Sequence, residues 1–493
     1  MKKILMTNKL TLCAPILVRF QCRNRLLVAG LLTSLIGGLA GCEKIVEVPL
    51  PATSIPQSMV FTTDQEAISA LAGTYYRMVN SNTPTLINGG MTIYSALASD
   101  ELVVFDKSNT AYLQYYQNNL QANNPFIAYL WENSYQLIYQ FNAILEGVHS
   151  NHTLTPAIQE QIAAQAMVGR AFIYYQLTTL FGAVPYITIT DWRTTTIRKR
   201  EPVERVYSQL IADLKEAEQR LPASYNLITG GKTSFNKWAA TALLARLHAI
   251  TGNWQGVLTA CDKIMNSGDY ALAATPAGVF HLNSPEAILQ LKQDNTTYSF
   301  NATREGMFLL PIDGLFPFPP FAYLPQKLLL DFESGDQRFT DWTQSREIDS
   351  RLLHYPAKYK VGPSQAEPGG QIQEGYMVLR LAEIVLLRAE ARFRLDDISG
   401  AIDDLNLIRQ RATLKPLPTD LQEAETLRAV QQERRIELFC EWGHRWVDLN
   451  RWGVAETILS INKSAPVSRN ALLFPIPANE LMSNPNLDQN TGY

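Results

Sequence analysis

Three glutamates near the C-terminus have the spacing that best suits acid–base chemistry. Glu433, Glu437 and Glu441 recur every four residues within residues 433–453, ERRIELFCEWGHRWVDLNRWG. If this segment is helical, that spacing places the three carboxylates on one face. A pair of carboxylates is what most glycoside hydrolases use as acid and base.

The charges around these glutamates favour a structural role instead. Glu441 and Arg445 are four residues apart, the spacing of a helical ion pair, and four arginines occupy the segment: Arg434, Arg435, Arg445 and Arg451. Carboxylates paired with arginine have lowered pKa values, the wrong direction for an acid catalyst. Trp442 and Trp446 have the same four-residue spacing, which suits packing. The segment therefore predicts a structural salt-bridge and aromatic cluster, and no catalytic residue.

Other catalytic and metal-binding patterns are weak. His149 and His152 form an H-x-x-H pair at a predicted helix end, whereas zinc needs three or four ligands. The sequence has no nucleophile elbow, phosphate loop or dinucleotide fingerprint. We expect no cofactor and no metal site. Structural calcium held by loop carboxylates such as Asp100 or Asp106 stays open, although no EF-hand spacing is present.

Two aromatic-rich stretches have the residue types that bind sugars. Flat aromatic faces pack against the C–H side of a pyranose, and amide or carboxylate groups bond its hydroxyls. The stretches are residues 94–116 and 298–323, and the alternative is that their aromatics only cover the core beneath long loops. We expect two or three of these residues to contact a ligand, from the candidates Tyr94, Asp100, Phe105, Asn109, Tyr112, Tyr116, Tyr298, Phe316, Phe318 and Tyr323.

The frame that positions these stretches is predicted to be helical. Apolar periodicity and end signals indicate helices over Asp64–Asn80, Phe126–Val148, Pro156–Phe181 and Pro202–Leu221. Thr63 or Asp64 is the expected N-cap of the first helix, and Gly182 ends the third. Residues 81–125 and 269–375 have poor periodicity and many Asn, Pro and Gly residues. We expect them to be loops on a rigid helical frame, where binding usually resides.

An internal repeat supports this architecture. Residues 239–268 and 383–412 align at an offset of 144 positions, which matches Leu243 to Leu387, Ala245 to Ala389 and Gly256 to Gly400. Each segment reads as a helix, a short turn and a second helix. The pattern looks like a tetratricopeptide hairpin, although the full consensus is absent. Two unrelated helical hairpins are the alternative.

The N-terminus indicates secretion and lipid attachment. Six basic residues and no acid lie in residues 1–25, an apolar run follows, and residues 39–42 read Leu-Ala-Gly-Cys. This pattern resembles a bacterial lipoprotein signal, which implies removal of residues 1–41 and lipidation of Cys42. An ordinary signal peptide with a chance cysteine is the alternative. Prolines within 42–60 favour an extended tether, followed by a body at 61–493.

The mature chain is acidic and poor in cysteine. Removal of the signal leaves 37 Lys+Arg against 46 Asp+Glu, a net charge of −9, which argues against a nucleic-acid partner. Only Cys261 and Cys440 remain besides Cys42. We expect two buried free thiols, and one long-range disulfide stays open.

Five segments occur in order along the chain: residues 165–185, 233–254, 379–391, 433–453 and 473–493, the last reading LFPIPANELMSNPNLDQNTGY. Together they resemble the SusD/RagB family of outer-membrane nutrient-binding lipoproteins. The resemblance implies a mostly α fold in which four tetratricopeptide-like helix pairs pack against a loop-rich irregular half.

The resemblance also implies a role and a partner. Members of this family capture an oligomer, mostly a glycan and sometimes a peptide, and deliver it to a TonB-dependent SusC-like outer-membrane barrel without catalysis. In the family a ligand-stacking aromatic often follows an Asp-Glu pair; here Asp100-Glu101 is followed by Val103, Val104 and Phe105, with no tryptophan. The resemblance favours the cell exterior. The alternatives are the same architecture with a peptide, glycopeptide or another nutrient as ligand, a periplasm-facing protein-binding repeat scaffold and, as the weakest, a hydrolase.

Overall fold

The computed structural model describes residues 61–81, 83–228, 231–296, 300–314 and 318–493. These residues belong to one compact unit that runs from Gln57 to Tyr493. The predicted signal peptide, Cys42 and the tether 42–60 lie outside the described residues, as do Tyr298 and Phe316. Within the described ranges, no helix is both long and apolar enough to cross a membrane.

Helices dominate the architecture. In chain order they are α1 (Asp64–Val79), α2 (Gly90–Ala98), α3 (Thr110–Tyr116), α4 (Pro125–Ser150), α5 (Pro156–Phe181), α6 (Trp192–Thr195), α7 (Val203–Arg220), α8 (Lys237–Ile250), α9 (Trp254–Met265), α10 (Arg304–Leu309), α11 (Gln326–Leu330), α12 (Gln337–Trp342), α13 (Leu381–Arg394), α14 (Ile398–Arg411), α15 (Glu423–Glu437), α16 (His444–Arg451), α17 (Ala455–Lys463) and α18 (Ala478–Ser483). The mostly α fold class is confirmed.

The helices predicted from local signals begin and end within two residues of the predicted positions. At the start of α1, Thr63 accepts a hydrogen bond from the Glu66 amide and Glu66 accepts one from the Thr63 amide, a capping box. At the end of α5, Gly182 adopts a φ of +72°, which glycine tolerates without strain. Helices α4 and α5 pack closely because Gly169 leaves room for the ring of Phe141.

The two repeat segments are both helical hairpins, α8–α9 and α13–α14, and α9 packs against α13. The matched Ala245 and Ala389 are fully buried, so the paired helices approach closely. The second helix of each hairpin is capped in the same way. Asn253 accepts from the amide of Gly256, and Asp397 accepts from the amide of Gly400. The match between the two segments at an offset of 144 positions thus includes the N-cap residues of their second helices.

The two stretches predicted as loops contain more regular structure than expected. Besides short helices they contain β1 (Val103–Val104), β2 (Ala287–Leu291), β3 (Ala322–Tyr323), β4 (Thr343–Ile348) and β5 (Arg351–Pro356), and β6 (Tyr376–Arg380) follows directly after the second stretch. The strands pair antiparallel as β1–β3, β2–β6 and β4–β5. The β4–β5 hairpin was missed. Most of its side chains are exposed or half-buried, so an alternation of apolar and polar residues is weak.

The segment 433–453 is not one continuous helix, which corrects the predicted pairing of Glu441 with Arg445. Helix α15 ends at Glu437, the chain turns through Cys440 and Trp442 at positive φ, and α16 begins after Gly443. A side chain at Gly443 would collide with Met91 and Ser95. Glu441 therefore leaves the face shared by Glu433 and Glu437.

The tryptophans and cysteines of this region are buried in the core. Trp442 stacks on Tyr376 with ring centroids 4.8 Å apart, and Trp446 packs near Phe474 at 5.8 Å. The two tryptophans thus suit packing as expected, but with other partners. Cys261 and Cys440 are free and buried, which confirms the expected thiols.

Candidate functional site

The two aromatic stretches meet in the fold. Strand β1 pairs with β3, Val103 opposite Tyr323 and Val104 opposite Ala322. The pairing continues as the Phe105 amide donates to the Phe321 carbonyl over 3.1 Å. The sequence predicted both stretches as ligand loops, and this two-residue ladder brings them together across more than 200 residues of chain.

Some of the predicted ligand residues are accessible. Phe318 is 59% exposed, Phe105, Tyr116 and Tyr323 are half-buried, and Asn109 is exposed. Tyr116 and Tyr323 lie close enough to interact electrostatically. We call these five residues the aromatic surface. The polar residues 106–108, between Phe105 and Asn109, are also exposed, so hydrogen-bonding side chains directly follow Phe105 in the chain.

Other predicted ligand residues form a stack beneath this surface. The ring of Tyr94 is fully buried and lies 4.7 Å from Tyr115. Tyr112 is 9% exposed and stacks on Phe126 at 4.4 Å, and it meets Phe321 edge-on at 4.5 Å. Burial raises the pKa of Tyr112 to about 12. Tyr94 has no accessible face for a sugar, so its predicted contact with a ligand is wrong. Its ring instead supports the aromatic surface from beneath.

Comparison with known proteins identifies the family. Residues 337–493 match the model of the SusD family, and residues 58–248 match a model described as starch-binding and associating with the outer membrane. The chain belongs to the SusD/RagB family. A SusD-like protein of Formosa agariphila is 23% identical over 93% of this chain and 97% of its own. Another from the same organism is 25% identical over 74% and 79%.

Solved structures share the SusD fold. A laminarin-binding SusD-like protein has a TM-score of 0.73 at 21% identity, covering 88% of this chain and all of its own. A surface glycan-binding protein A from Bacteroides thetaiotaomicron has a TM-score of 0.74 at 18% identity, with the same coverage. At these identities the likeness establishes the fold.

Asp100 has a structural role in this SusD-family chain. Its carboxylate accepts two hydrogen bonds from Arg445, at 2.7 and 2.8 Å, and pairs with Arg435 at 3.2 Å. Burial alone would raise its pKa, but the hydrogen bonds and charge of Arg445 outweigh burial and hold the pKa well below its usual range. The predicted contact of Asp100 with ligand is corrected, because its side chain is buried and its oxygens are engaged.

The neighbouring Glu101 is also buried, but its pKa shifts in the direction opposite to that of Asp100. Burial, and then the negative charge of Asp100, raise its pKa to about 8. Glu305 in α10 is also fully buried, and burial raises its pKa to about 8 as well. At neutral pH both carboxyls are therefore mostly protonated, and their burial keeps them from a ligand in solvent.

Two residues that sequence reasoning missed hold the loops in place. Lys463 donates to the carbonyl oxygens of Leu97, Ala98 and Tyr116 at 2.7–2.9 Å, and its Nζ lies 5.3 Å from the Tyr116 ring. Arg346 in β4 donates to the carbonyls of Ile312 and Phe318, each at 3.3 Å. Neither residue carries a local signal, because both act on segments distant in sequence.

Glu433, Glu437 and Glu441 belong to a buried ion network. Glu437 pairs with Arg338, Arg380 and Arg411, Glu433 with Arg338 and Arg409, and Glu441 with Arg380 and Lys358. Burial opposes ionisation of Glu437, but the three arginines hold its pKa well below the usual range. For Glu437 the predicted direction is confirmed. These carboxylates have a structural role and do not face solvent.

The residues considered for metal binding do not form a cluster. His149 and His152 are exposed at the end of α4 and beyond it. Asp106 accepts hydrogen bonds from the backbone and hydroxyl of Ser108. Across the described ranges, no group of three or more His, Cys, Asp or Glu residues is arranged to hold a metal ion.

Proposed function

We propose that this chain is a non-enzymatic, lipid-anchored glycan-binding protein of the outer membrane that passes oligosaccharide to a TonB-dependent SusC-like barrel. The observation that carries the proposal is the aromatic surface, where rings from two distant loops and exposed polar side chains lie on a helical frame. The described laminarin-binding and glycan-binding neighbours and the starch-binding family model support it.

The chemistry of the aromatic surface suits a sugar chain. The exposed ring of Phe318 and the half-buried rings of Phe105, Tyr116 and Tyr323 offer apolar faces to the C–H side of pyranose rings. Asn109 provides both an amide donor and a carbonyl acceptor for hydroxyl groups. The loops are fixed by Lys463 and Arg346, so little ordering entropy is lost when a ligand binds.

We expect the Phe318→Ala variant to bind glycan at least about tenfold more weakly than the natural chain, since a stacking ring contributes roughly 1.4 kcal/mol. Phe105→Ala is expected to act in the same direction. The measurement is calorimetric titration against soluble starch, laminarin, xylan, pectin and a peptide digest. The control is Trp192→Ala, an aromatic in α6 that is 70% exposed and outside the aromatic surface.

The controls make this result decisive. Trp192→Ala is expected to retain full affinity, which excludes a general effect of removing an exposed ring. Glycan affinity that is equal in all three variants would contradict the role of the aromatic surface. A folded protein that binds none of the glycans would contradict the proposed function, and binding of peptides alone would favour a peptide-binding protein of the same architecture.

The anchor and the barrel partner form a separate part of the proposal. We infer that a lipid on Cys42, joined to the body through residues 42–60, keeps the body at the membrane beside the barrel. We expect the natural chain, extracted from outer membranes in mild detergent, to co-purify with a large β-barrel transporter. A Cys42→Ala variant is expected to be lost from the membrane fraction. Recovery of the natural chain without any barrel would contradict the partnership.

A further inference from the structure

An open cleft of about 680 Å³ lies on the outer face of α4, away from the aromatic surface residues. Its walls come from three parts of the chain. Arg77 belongs to α1, Glu480 belongs to α18, and the central part of α4 supplies most of the remainder. We call this feature the α4 cleft.

The α4 wall has a stripe of polar and aromatic side chains. Glu132, Gln136, Tyr139 and Gln140 lie at positions i, i+4, i+7 and i+8, a spacing that places them on one helical face. This face of α4 is open to solvent, and Tyr139 is 52% exposed. Among the described residues, the side chains of Arg77, Gln136, Tyr139 and Gln140 make no hydrogen bond or ion pair.

The opposite wall is held in place. Glu480 accepts a hydrogen bond from the side chain of Trp131, which is itself buried in the core. Burial, and then the nearby charge of Glu132, raise the pKa of Glu480. The cleft therefore presents two carboxyls, of which Glu480 is fixed, together with free amide donors and acceptors, one guanidinium and a half-exposed phenol ring around a single concave space.

We propose that the α4 cleft is a second carbohydrate-binding site, which holds another segment of the glycan bound at the aromatic surface. This inference rests on the proposed function. Neutral sugar hydroxyls match a mixture of donors and acceptors, and Tyr139 supplies the ring face for stacking. The absence of a strong excess of one charge in the cleft favours a neutral chain over a phosphorylated or polyanionic ligand.

The spacing of the two sites predicts a dependence on chain length. Phe126, at the start of α4, stacks on Tyr112 beneath the aromatic surface. Tyr139 lies thirteen residues further along the same helix, about 20 Å along its axis at 1.5 Å per residue. Short oligosaccharides occupy one site at a time, whereas a polymer that spans this distance gains affinity from both.

The test uses the double variant Gln136→Ala with Tyr139→Ala, with Trp192→Ala as the matched control. Affinity electrophoresis in gels containing soluble starch, laminarin, xylan or pectin measures polymer binding, and calorimetry measures the corresponding short oligosaccharides. We expect the double variant to bind polymer about tenfold more weakly and short oligosaccharide almost unchanged. We also expect the polymer to protect Glu132 and Glu480 from carbodiimide labelling.

The outcomes separate this inference from the proposed function. Polymer binding that Phe318→Ala weakens, but the double variant leaves unchanged with both glutamates still labelled, would overturn the α4 cleft alone. Loss of binding only in the double variant would support the α4 cleft and overturn the aromatic surface. A folded natural chain that binds none of the glycans would overturn both.

Discussion

The Arg380→Ala variant is expected to lose about 3–5 kcal/mol of folding free energy, the range for removing one partner of a buried ion pair. Arg380 donates to Glu286 at 2.8 Å, to Glu437 at 2.5 Å and to Glu441 at 2.8 Å. All four side chains are at most 5% exposed. Without the guanidinium, carboxylates that water cannot reach are left without one of their main partners.

The position of this network explains why the loss is large. Arg380 ends β6, Glu286 precedes β2, Glu437 ends α15, and Arg411 of α14 binds both glutamates. The network therefore joins the second repeat hairpin to the strands of the irregular part. Replacement of one member disturbs contacts between both parts of the fold rather than within one element.

The loss is expected to depend on pH. In Arg380→Ala the Glu437 carboxyl keeps Arg338 and Arg411 but loses one of the three charges that hold its pKa low, so its folded-state pKa rises above that in the natural chain. The stability deficit of the variant is then largest at high pH and shrinks as the pH falls through this raised pKa. Urea denaturation at pH 5 and pH 8 should show the larger deficit at pH 8.

A surface ion pair provides the control for Arg380. Arg193 bonds Asp191 at 3.0 Å with 74% of its side chain exposed, and exposed pairs contribute about 0–1 kcal/mol. Arg193→Ala is expected to unfold close to the natural chain at both pH values. If Arg380→Ala loses less than about 1 kcal/mol, well below the range for a buried pair, the network does not stabilise the fold as described.

Local signals in the sequence were enough for most of the helical frame. Thr63, Pro156 and Gly182 act on chain neighbours only, so the ends of α1 and α5 can be read without the rest of the fold. The repeat is also local, because each hairpin buries its own alanine, Ala245 or Ala389. Predictions of such local features do not depend on the structure of distant parts of the chain.

The errors arose where a distant partner decides the structure. The pairing of Glu441 with Arg445 required a continuous helix, but Arg445 binds Asp100, 345 residues away, and the chain turns at Gly443. Tyr94 and Tyr116 are both aromatic residues in one predicted loop. Only the short helices α2 and α3 show that Tyr94 faces the core while Tyr116 remains half exposed.

The Asp100→Ala variant is expected to lose about 3–5 kcal/mol of folding free energy, because it leaves Arg445 buried without its bidentate partner. Arg435 retains Asp331 at 2.9 Å, so the loss centres on Arg445. The contact links the end of α2, directly before β1, to α16. The measurement is urea denaturation, followed by glycan titration at a temperature where the variant is folded.

A paired comparison with Asp106 separates structural support from ligand contact. Asp106 is exposed beside Phe105, and among the described residues its carboxylate accepts hydrogen bonds from the backbone and hydroxyl of Ser108. Asp106→Ala is expected to change stability by less than about 0.5 kcal/mol, as is usual for surface substitutions. If the Asp106 side chain contacts the glycan, the Asp106→Ala variant binds glycan more weakly without any loss of stability. Asp100→Ala is expected to behave in the opposite way. It loses folding stability, and any loss of glycan affinity is smaller than this loss of stability.

An isosteric change at Asp100 separates the effect of its charge from the effect of its shape. Asp100→Asn keeps the shape of the side chain but removes the charge that balances Arg445 and Arg435, so an intermediate loss of stability is expected. A sugar hydroxyl, in contrast, bonds an amide almost as well as a carboxylate. An Asp100→Asn variant with natural stability and strongly reduced glycan affinity would show that Asp100 contacts the ligand directly, against its buried position beneath the aromatic surface.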